Sequence, residues 1–354
     1  MVAQINLVSR FERFINRTSN GRRCKLNGSR MKPGTIENYR QTLKLLRDYE
    51  LHSNKPLVIT CADSNDERLV RKEKLYWSRF YKDFSRFLFH QKGCHDNYCG
   101  HVFKIIKCFF RYLKEEEYIH LRPFYDRFHV RKEDIRIISL LPEQLSFLIM
   151  DNAFNSRLKG KLKRTKDAFV FGCTTALRFS DLMNLRVRAL EKKGEEYFLD
   201  YLSLKTATPV KIKLPLFAVE IFLRYANKKR PAMKVFPAIS LFWFNELLRR
   251  IGEIAGWTNP LGKFRSVNGV RSEQKKGYRT YRFCDLLSSH VMRKTGITFL
   301  LMMGMPEYLV RKISGHAAHS PSFFRYVNFA QSYITEEINK AHTKLLSLYT
   351  AVHP

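Results

Sequence analysis

Residues 289–328 read SHVMRKTGITFLLMMGMPEYLVRKISGHAAHSPSFFRYVN, and the reading of the whole chain starts there. The stretch holds a His-x-x-Arg (His290, Arg293), a Gly-His (Gly315, His316) and a tyrosine preceded by arginine (Tyr326). One helical turn separates His290 from Arg293, so they share a face. Gly315 follows the apolar pattern Tyr308, Leu309, Ile313 and reads as a helix C-terminal stop. Arginine grips a phosphate with a permanent charge and forked donors, histidine moves protons near neutrality, and tyrosine offers an oxygen nucleophile. Together they suit an attack on a phosphodiester. Taken singly, each has a plainer reading. A His-x-x-Arg is common, Tyr326 also reads as a core tyrosine beside Phe323, Phe324 and Val327, and His319 and Tyr333 are neighbouring candidates of the same types.

Upstream, ALRFSDLMNLR ends one buried helix (KDAFVFGCTTAL) and starts another, with Ser180 expected as its N-cap and Asp181 just inside. Arg178 sits at that helix start, where free N–H groups and the dipole already favour an anion, and Asp181 is placed to brace it. Taken alone, it reads rather as a surface arginine. EYFLDYLSL and PVKIKLPL alternate as two strands of a hairpin with Lys205 at the tip. A tip lysine either delivers a proton to a leaving oxygen or is simply solvated.

The chain has 354 residues, 64 Lys plus Arg against 32 Asp plus Glu, and a formal charge of +32, which points first to a polyanionic partner, nucleic acid. The longest apolar run, residues 297–303, is far too short to cross a bilayer, and the N-terminus lacks a signal-peptide pattern. Seven dispersed cysteines fit a reduced, cytoplasmic setting. His90, Cys94, Cys99 and His101 fit no common zinc spacing, and no carboxylate cluster marks a two-metal nuclease, so neither metal nor cofactor is expected.

Helices are expected from Thr35 as cap through Tyr49, near 66–91 and near 98–116, with a polar loop at 16–30 and basic faces turned to DNA phosphates or to solvent. Residues 120–132 are irregular, and Pro142 opens a new helix. The division expected is 1–128 as a helical DNA-binding domain, 129–141 as linker and 142–354 as catalytic domain with a C-terminal tail helix. Residues 258–281 read as a basic loop, and helices otherwise dominate from 216 to 348. The fold class is mainly α with a small β-hairpin, α+β.

No single motif is specific, but their order is. In ALRFSDLMNLR, LSLKTATPVKIKLPL, SSHVMRKTGITFLLMMGM, ISGH and FFRYVN, residues 140–335 resemble the tyrosine recombinase (phage integrase) family. The resemblance implies Arg178, Lys205, His290, Arg293, His316 and Tyr326 as catalytic residues, with Asp181 supporting. Residues 1–125 are similar to the family's core-binding domain only in general pattern. Pro306 replaces a usual aliphatic residue, and the step from His316 to Tyr326 is one residue longer than is common. No arm-site-binding domain is expected before residue 30. The resemblance further implies a 3′-phosphotyrosyl intermediate, religation without ATP, and double-stranded DNA with inverted-repeat core sites as partner. It also implies a homo-tetramer on DNA that is weakly associated or monomeric when free, DNA-bending accessory proteins, and a nucleoid location. The tail around 332–348 is expected either to pack on its own domain or to pass to a neighbouring subunit. A type IB topoisomerase, a resolvase and a silent DNA-binding regulator are the rival readings.

Overall fold

The computed structural model describes residues 3–61, 66–205 and 208–352. The chain divides into two compact units, 1–135 with 264–273, and 136–263 with 274–354.

In the first unit, strand β1 (Ala3–Asn6) pairs antiparallel with β2 (Val58–Cys61). Helices α1 (Leu7–Ser19), α2 (Pro33–Ser53), α3 (Glu67–Arg86) and α4 (Asp96–Glu115) form the body. α3 runs on as a π-turn through Phe87–Gln91. The core is built of rings: Phe11, Phe14, Phe84, Phe103, Phe109 and Phe110 are all fully buried. Each is worth roughly 1.5–3 kcal/mol of transfer free energy. Two expectations are corrected here. α1 extends to Ser19, because Phe11, Phe14, Ile15 and Thr18 continue one buried stripe into the polar stretch. α2 starts at Pro33 with Lys32 as N-cap, not at Thr35, since proline's fixed φ and missing N–H suit the first helical position.

The second unit begins with α5 (Pro142–Met150), α6 (Asn152–Arg157), α7 (Gly160–Thr175) and α8 (Phe179–Asn184). A three-stranded antiparallel sheet follows, β3 (Leu190–Lys193), β4 (Glu196–Leu202) and β5 (Pro209–Leu214). β3 extends the expected hairpin by one strand, its Leu190 opposite Leu199. Then come α9 (Leu216–Tyr225) and α10 (Leu241–Ile254), and a second sheet of β6 (Lys263–Val267), β7 (Val270–Lys276) and β8 (Arg279–Thr280). The chain ends in α11 (Ser289–Met302), α12 (Glu307–Ser314) and α13 (Pro321–Val352).

The second sheet replaces the loop expected at 258–281. Its turn is Asn268-Gly269, both at positive φ (53° and 84°), the pair that a two-residue hairpin favours. The segment Phe264–Glu273 belongs to the first unit. There the Asp96 carboxylate accepts from the backbone N–H of Asn268 and of Gly269, both at 2.8 Å. Glu133 accepts from Arg265 Nη2 at 2.7 Å and from Ser266 N–H at 2.7 Å. The tail is not a separate helix: it is the continuation of the helix that carries Tyr326, and residues 335–346 are exposed.

Candidate active site

α7 and α11 cross closely because each presents a glycine to the other. A Cβ on Gly172 would fall 2.0 Å from Met292 Sδ, and one on Gly296 would fall 2.5 Å from the Cys173 carbonyl oxygen. This approach places Arg293, one turn before Gly296, against the C-terminal end of α7. That end is sealed by Ala176 in the left-handed region (φ 52°). Arg293 donates through Nη1 to the Ala176 carbonyl at 2.9 Å and through Nη2 to the Ser314 carbonyl at the end of α12. It is 4% exposed. Burial first, then the charge of Arg178, lowers its pKa to about 10, so it stays cationic at neutral pH.

The chain leaves Ala176 through buried Leu177, and Arg178 itself is the N-cap of α8. This corrects the expectation of Ser180. The backbone turns from extended to helical at Arg178, whose carbonyl accepts the first helical bond, from Leu182 N–H at 2.9 Å. Asp181 in the first turn is buried, and its carboxylate accepts from Ser203 Oγ at 3.2 Å and from Leu204 N–H at 3.0 Å. Arg178 Nη1 donates to Ser203 Oγ at 3.3 Å and lies 4.0 Å from Asp181. Ser203 N–H bonds the Thr208 carbonyl at 3.0 Å, closing the β4–β5 turn that carries Lys205. One buried carboxylate therefore holds both Arg178 and the start of the lysine turn. Thr206 and Ala207 lie outside the described residues.

His290 is in the first turn of α11. Burial, then the charges of Lys294, Arg293, Lys205 and Arg178, pull it down to about 4. His316 follows Gly315, which sits at φ 62° and ends α12 as expected. Its Nδ1 is 2.8 Å from Ser314 Oγ, and its ring centroid is 5.8 Å from that of Tyr326. Burial, then Arg293, Arg178, Arg311 and His290, brings it too down to about 4. Tyr326 is 7% exposed, in a cluster with Ala176, Ile297, Val310 and Phe323. Burial pushes its phenol up, and Arg293, Arg325 and Arg178 oppose that by favouring the phenolate.

The structure thus places Arg178, Arg293, His290 and His316 within electrostatic reach of one another and Tyr326 within reach of Arg293, Arg178 and the His316 ring, with Lys205 acting on His290 and Asp181 as brace. Tyr333 is elsewhere, donating to Glu143 Oε1 at 2.7 Å. Phe324 does not join the core as expected; it is 51% exposed and lies under the Arg311 guanidinium at 5.0 Å. A helix advances 100° per residue, so Phe323, Tyr326 and Ala330 share a stripe that leaves Phe324 outside. Sequence reading passed over Ser203, Ser314 and Tyr201. The last is pushed up to about 12 by burial and Asp181, against Arg293 and Arg178.

Among the described residues, one group of three possible metal ligands converges, Glu253, Cys284 and Asp285, within 4.8 Å of one another. Both carboxylates are engaged by cations. Asp285 accepts from Arg279 Nη1 at 2.6 Å, Lys276 Nζ at 2.7 Å and Arg282 Nε at 3.2 Å, and Glu253 accepts from Arg282. These bonds, Arg279 foremost, hold Asp285 well below the ordinary carboxylate range. Cys99, of the sequence's other candidate set, is pushed up to about 12 by burial and Cys94, which disfavours the thiolate a metal would need. No helix among the described residues is long and apolar enough to cross a membrane.

No model of a known protein family matches the sequence, and no curated protein matches it. Solved structures do. The XerH site-specific recombinase in its post-cleavage complex with palindromic difH substrate aligns at a TM-score of 0.56 and 12% identity, over 95% of this chain and 84% of that one. The Tn1549 transposon integrase in complex with circular intermediate DNA aligns at 0.54 and 15%, over 91% and 95%. A lambda integrase dimer bound to a COC′ core site aligns at 0.54 and 15%, over 92% and 95%. The chain therefore has the two-domain α+β fold of these recombinases and integrases.

Proposed function

We propose that this protein is a site-specific DNA recombinase of the tyrosine recombinase type that cleaves and rejoins strands through a phosphotyrosine, without metal or ATP. The observation that carries it is the convergence of two arginines, two histidines and a buried tyrosine on one site in a chain with this fold. DNA complexes of the three similar proteins support double-stranded DNA as the substrate, and the charge of +32 supports the same.

In this reading Arg178 and Arg293 neutralise the non-bridging oxygens of the scissile phosphate, already in position before the reaction. The Tyr326 oxygen attacks phosphorus and gives up its proton to a site histidine. The P–O5′ bond breaks, the tyrosine keeps the 3′-phosphoryl group, and Lys205 protonates the departing 5′-oxygen. Reversal with a new 5′-hydroxyl rejoins the strand. The first unit (with residues 1–128 as its expected extent) serves as the DNA-binding half and 142–354 as the catalytic half. Two copies bind each inverted-repeat site and four assemble for strand exchange, with bending proteins assisting on nucleoid DNA in the cytoplasm.

The test is a covalent-adduct assay with nicked DNA carrying candidate element ends, in EDTA, resolved on a denaturing gel. Wild type and Tyr333→Phe are expected to form the adduct and Tyr326→Phe to form none. An adduct that survives Tyr326→Phe overturns the nucleophile. Relaxed but never recombined products would favour a topoisomerase. Tight, salt-sensitive binding with no adduct on any DNA would favour a silent regulator.

A further inference from the structure

We infer that Cys108 is an oxidation site: hydrogen peroxide converts its thiol to a sulfenic acid, and the buried guanidinium of Arg23 holds the new oxygen. The site lies wholly in the first unit and is independent of the phosphotyrosine reading.

Three side chains meet where the loop between α1 and α2 crosses α4. The loop is drawn in by its own backbone, with Arg23 N–H donating to the Arg17 carbonyl at 2.9 Å and Cys24 bridging Arg30. Arg23 points inward, its guanidinium carbon 4.7 Å from the centroid of the buried Phe14 ring and 5.6 Å from that of Tyr112. Its side chain is 10% exposed. Nε donates to the exposed Glu116 carboxylate at 3.0 Å, and Nη2 to Cys108 Sγ at 3.9 Å. Nη1 is buried and has no hydrogen-bond partner among the described residues. A buried N–H left unpaired is costly, so an acceptor arriving there is favoured.

An arginine only donates, so the Cys108 sulfur is the acceptor, and a thiolate accepts better than a thiol. Tyr39 Oη lies 3.9 Å from the same sulfur, and burial, then Cys108, pushes its phenol up, so it too stays a donor. Cys108 is half-buried, which leaves the sulfur within reach of a small oxidant. A thiol beside a cation and open to solvent is the kind that oxidants select. The sulfur attacks one peroxide oxygen. An S–O bond forms, the O–O bond breaks, and the departing hydroxide leaves as water with the thiol proton. Sulfur gives up two electrons and the peroxide takes them. The oxygen now carried by Cys108 offers Arg23 Nη1 the acceptor that the thiol did not.

The other cysteines lack this setting. Among the described residues, no other cysteine sulfur accepts from a guanidinium. Cys99, Cys173 and Cys284 are buried, and burial pushes their thiols up, Cys99 to about 12. Burial raises Cys94 as well. Cys24 donates to the Gly21 carbonyl at 3.3 Å, a bond that favours its thiol form.

The test exposes the full chain to limiting hydrogen peroxide with dimedone present and reads the label at each cysteine by peptide mass spectrometry. Label at Cys108 is expected to exceed that at Cys24 or Cys94 by about fivefold or more. Arg23→Gln should cut the Cys108 label about three- to tenfold and leave Cys94 unchanged, and Arg23→Lys, which keeps a cation, should recover part of it. Oxidation without the trap should slow amide hydrogen exchange over residues 20–31 in wild type, because the captured oxygen ties the loop to α4. Label at Cys108 no greater than at Cys24 and Cys94 overturns the site whether or not the variants fold. Label that ignores Arg23→Gln overturns Arg23 as the holder. Faster exchange over 20–31 after oxidation, or a disulfide of Cys108 in place of a trappable sulfenic acid, overturns the captured oxygen.

Discussion

Tyr326 and Tyr333 stand two turns apart on α13, and the helix gives them nearly the same heading. They live in opposite electrostatic surroundings. Tyr326 is buried, and the charges that act on it, Arg293, Arg325 and Arg178, all favour its phenolate. Tyr333 donates to Glu143, and that carboxylate pushes its phenol up to about 12. Both phenols are raised, but at Tyr326 burial does this against the nearby charges, whereas at Tyr333 the nearby charge itself holds the proton on. In the phosphotyrosine reading, the groups standing opposite each phenol would decide which of the two serves as nucleophile.

The adduct assay breaks this comparison most directly, since it sets complete loss in Tyr326→Phe against no loss in Tyr333→Phe. Next in size is Arg293→Ala. It removes a preorganised charge and leaves the Ala176 and Ser314 carbonyls without that donor. The adduct rate at saturating protein should fall by about a hundredfold or more, the equivalent of roughly 3 kcal/mol of barrier. Arg293→Lys should recover little of it, because one ammonium cannot span two carbonyls and a phosphate as a fork does. A single-turnover time course measures both, and a loss below about fivefold would remove Arg293 from the clamp.

The histidines give a smaller effect with a definite sign. His290 and His316 are each held near 4, below the unfolded value of about 6.5. Between those values the unfolded chain binds more protons than the folded one, so stability falls as pH drops from about 6.5 towards 4 and is level above 6.5. Melting curves across that window, wild type beside His316→Gln, should show the shallower slope in the variant. A bound phosphodiester adds negative charge beside both rings and should flatten the wild-type slope. Melting temperatures that rise as pH falls would mean that the rings are already charged.

How far the sequence could be read follows the same physics. Arg178, His290, Arg293, His316 and Tyr326 each had a plainer reading alone, and they were singled out because their order along the chain resembles that of a known family. Ser314 and Ser203 were not, since a serine next to a glycine or a leucine advertises nothing until a carbonyl, an imidazole or a carboxylate converges on it. Three helices of the first unit, α2, α3 and α4, were legible from the period of their apolar residues, but α1 was not. The second sheet was legible too, in Asn268-Gly269, but its Lys and Arg content masked the turn signal. The N-cap of α8 was misplaced because serine caps by side chain, whereas here Arg178 caps only by backbone and spends its side chain on Ser203. That α13 runs unbroken from Pro321 could not be read from two segments each plausible as a helix.

The smallest expected effect tests whether Tyr333 matters to Tyr326 at all. Glu143 sits in the first turn of α5, where the helix N-terminus already favours a carboxylate, so its hold on Tyr333 is electrostatically natural. Removing the hydroxyl in Tyr333→Phe should cost about 0.5–1 kcal/mol, since both partners are near solvent. The adduct rate should change less than twofold, because Phe323, Tyr326 and Ala330 are seated in the core without help from the next turns. A drop of about tenfold with an unchanged melting temperature would give a different picture. A helix is stiff over two turns, so Glu143 would then be setting the axis of α13, and the nucleophile would be aimed from beyond its own pocket.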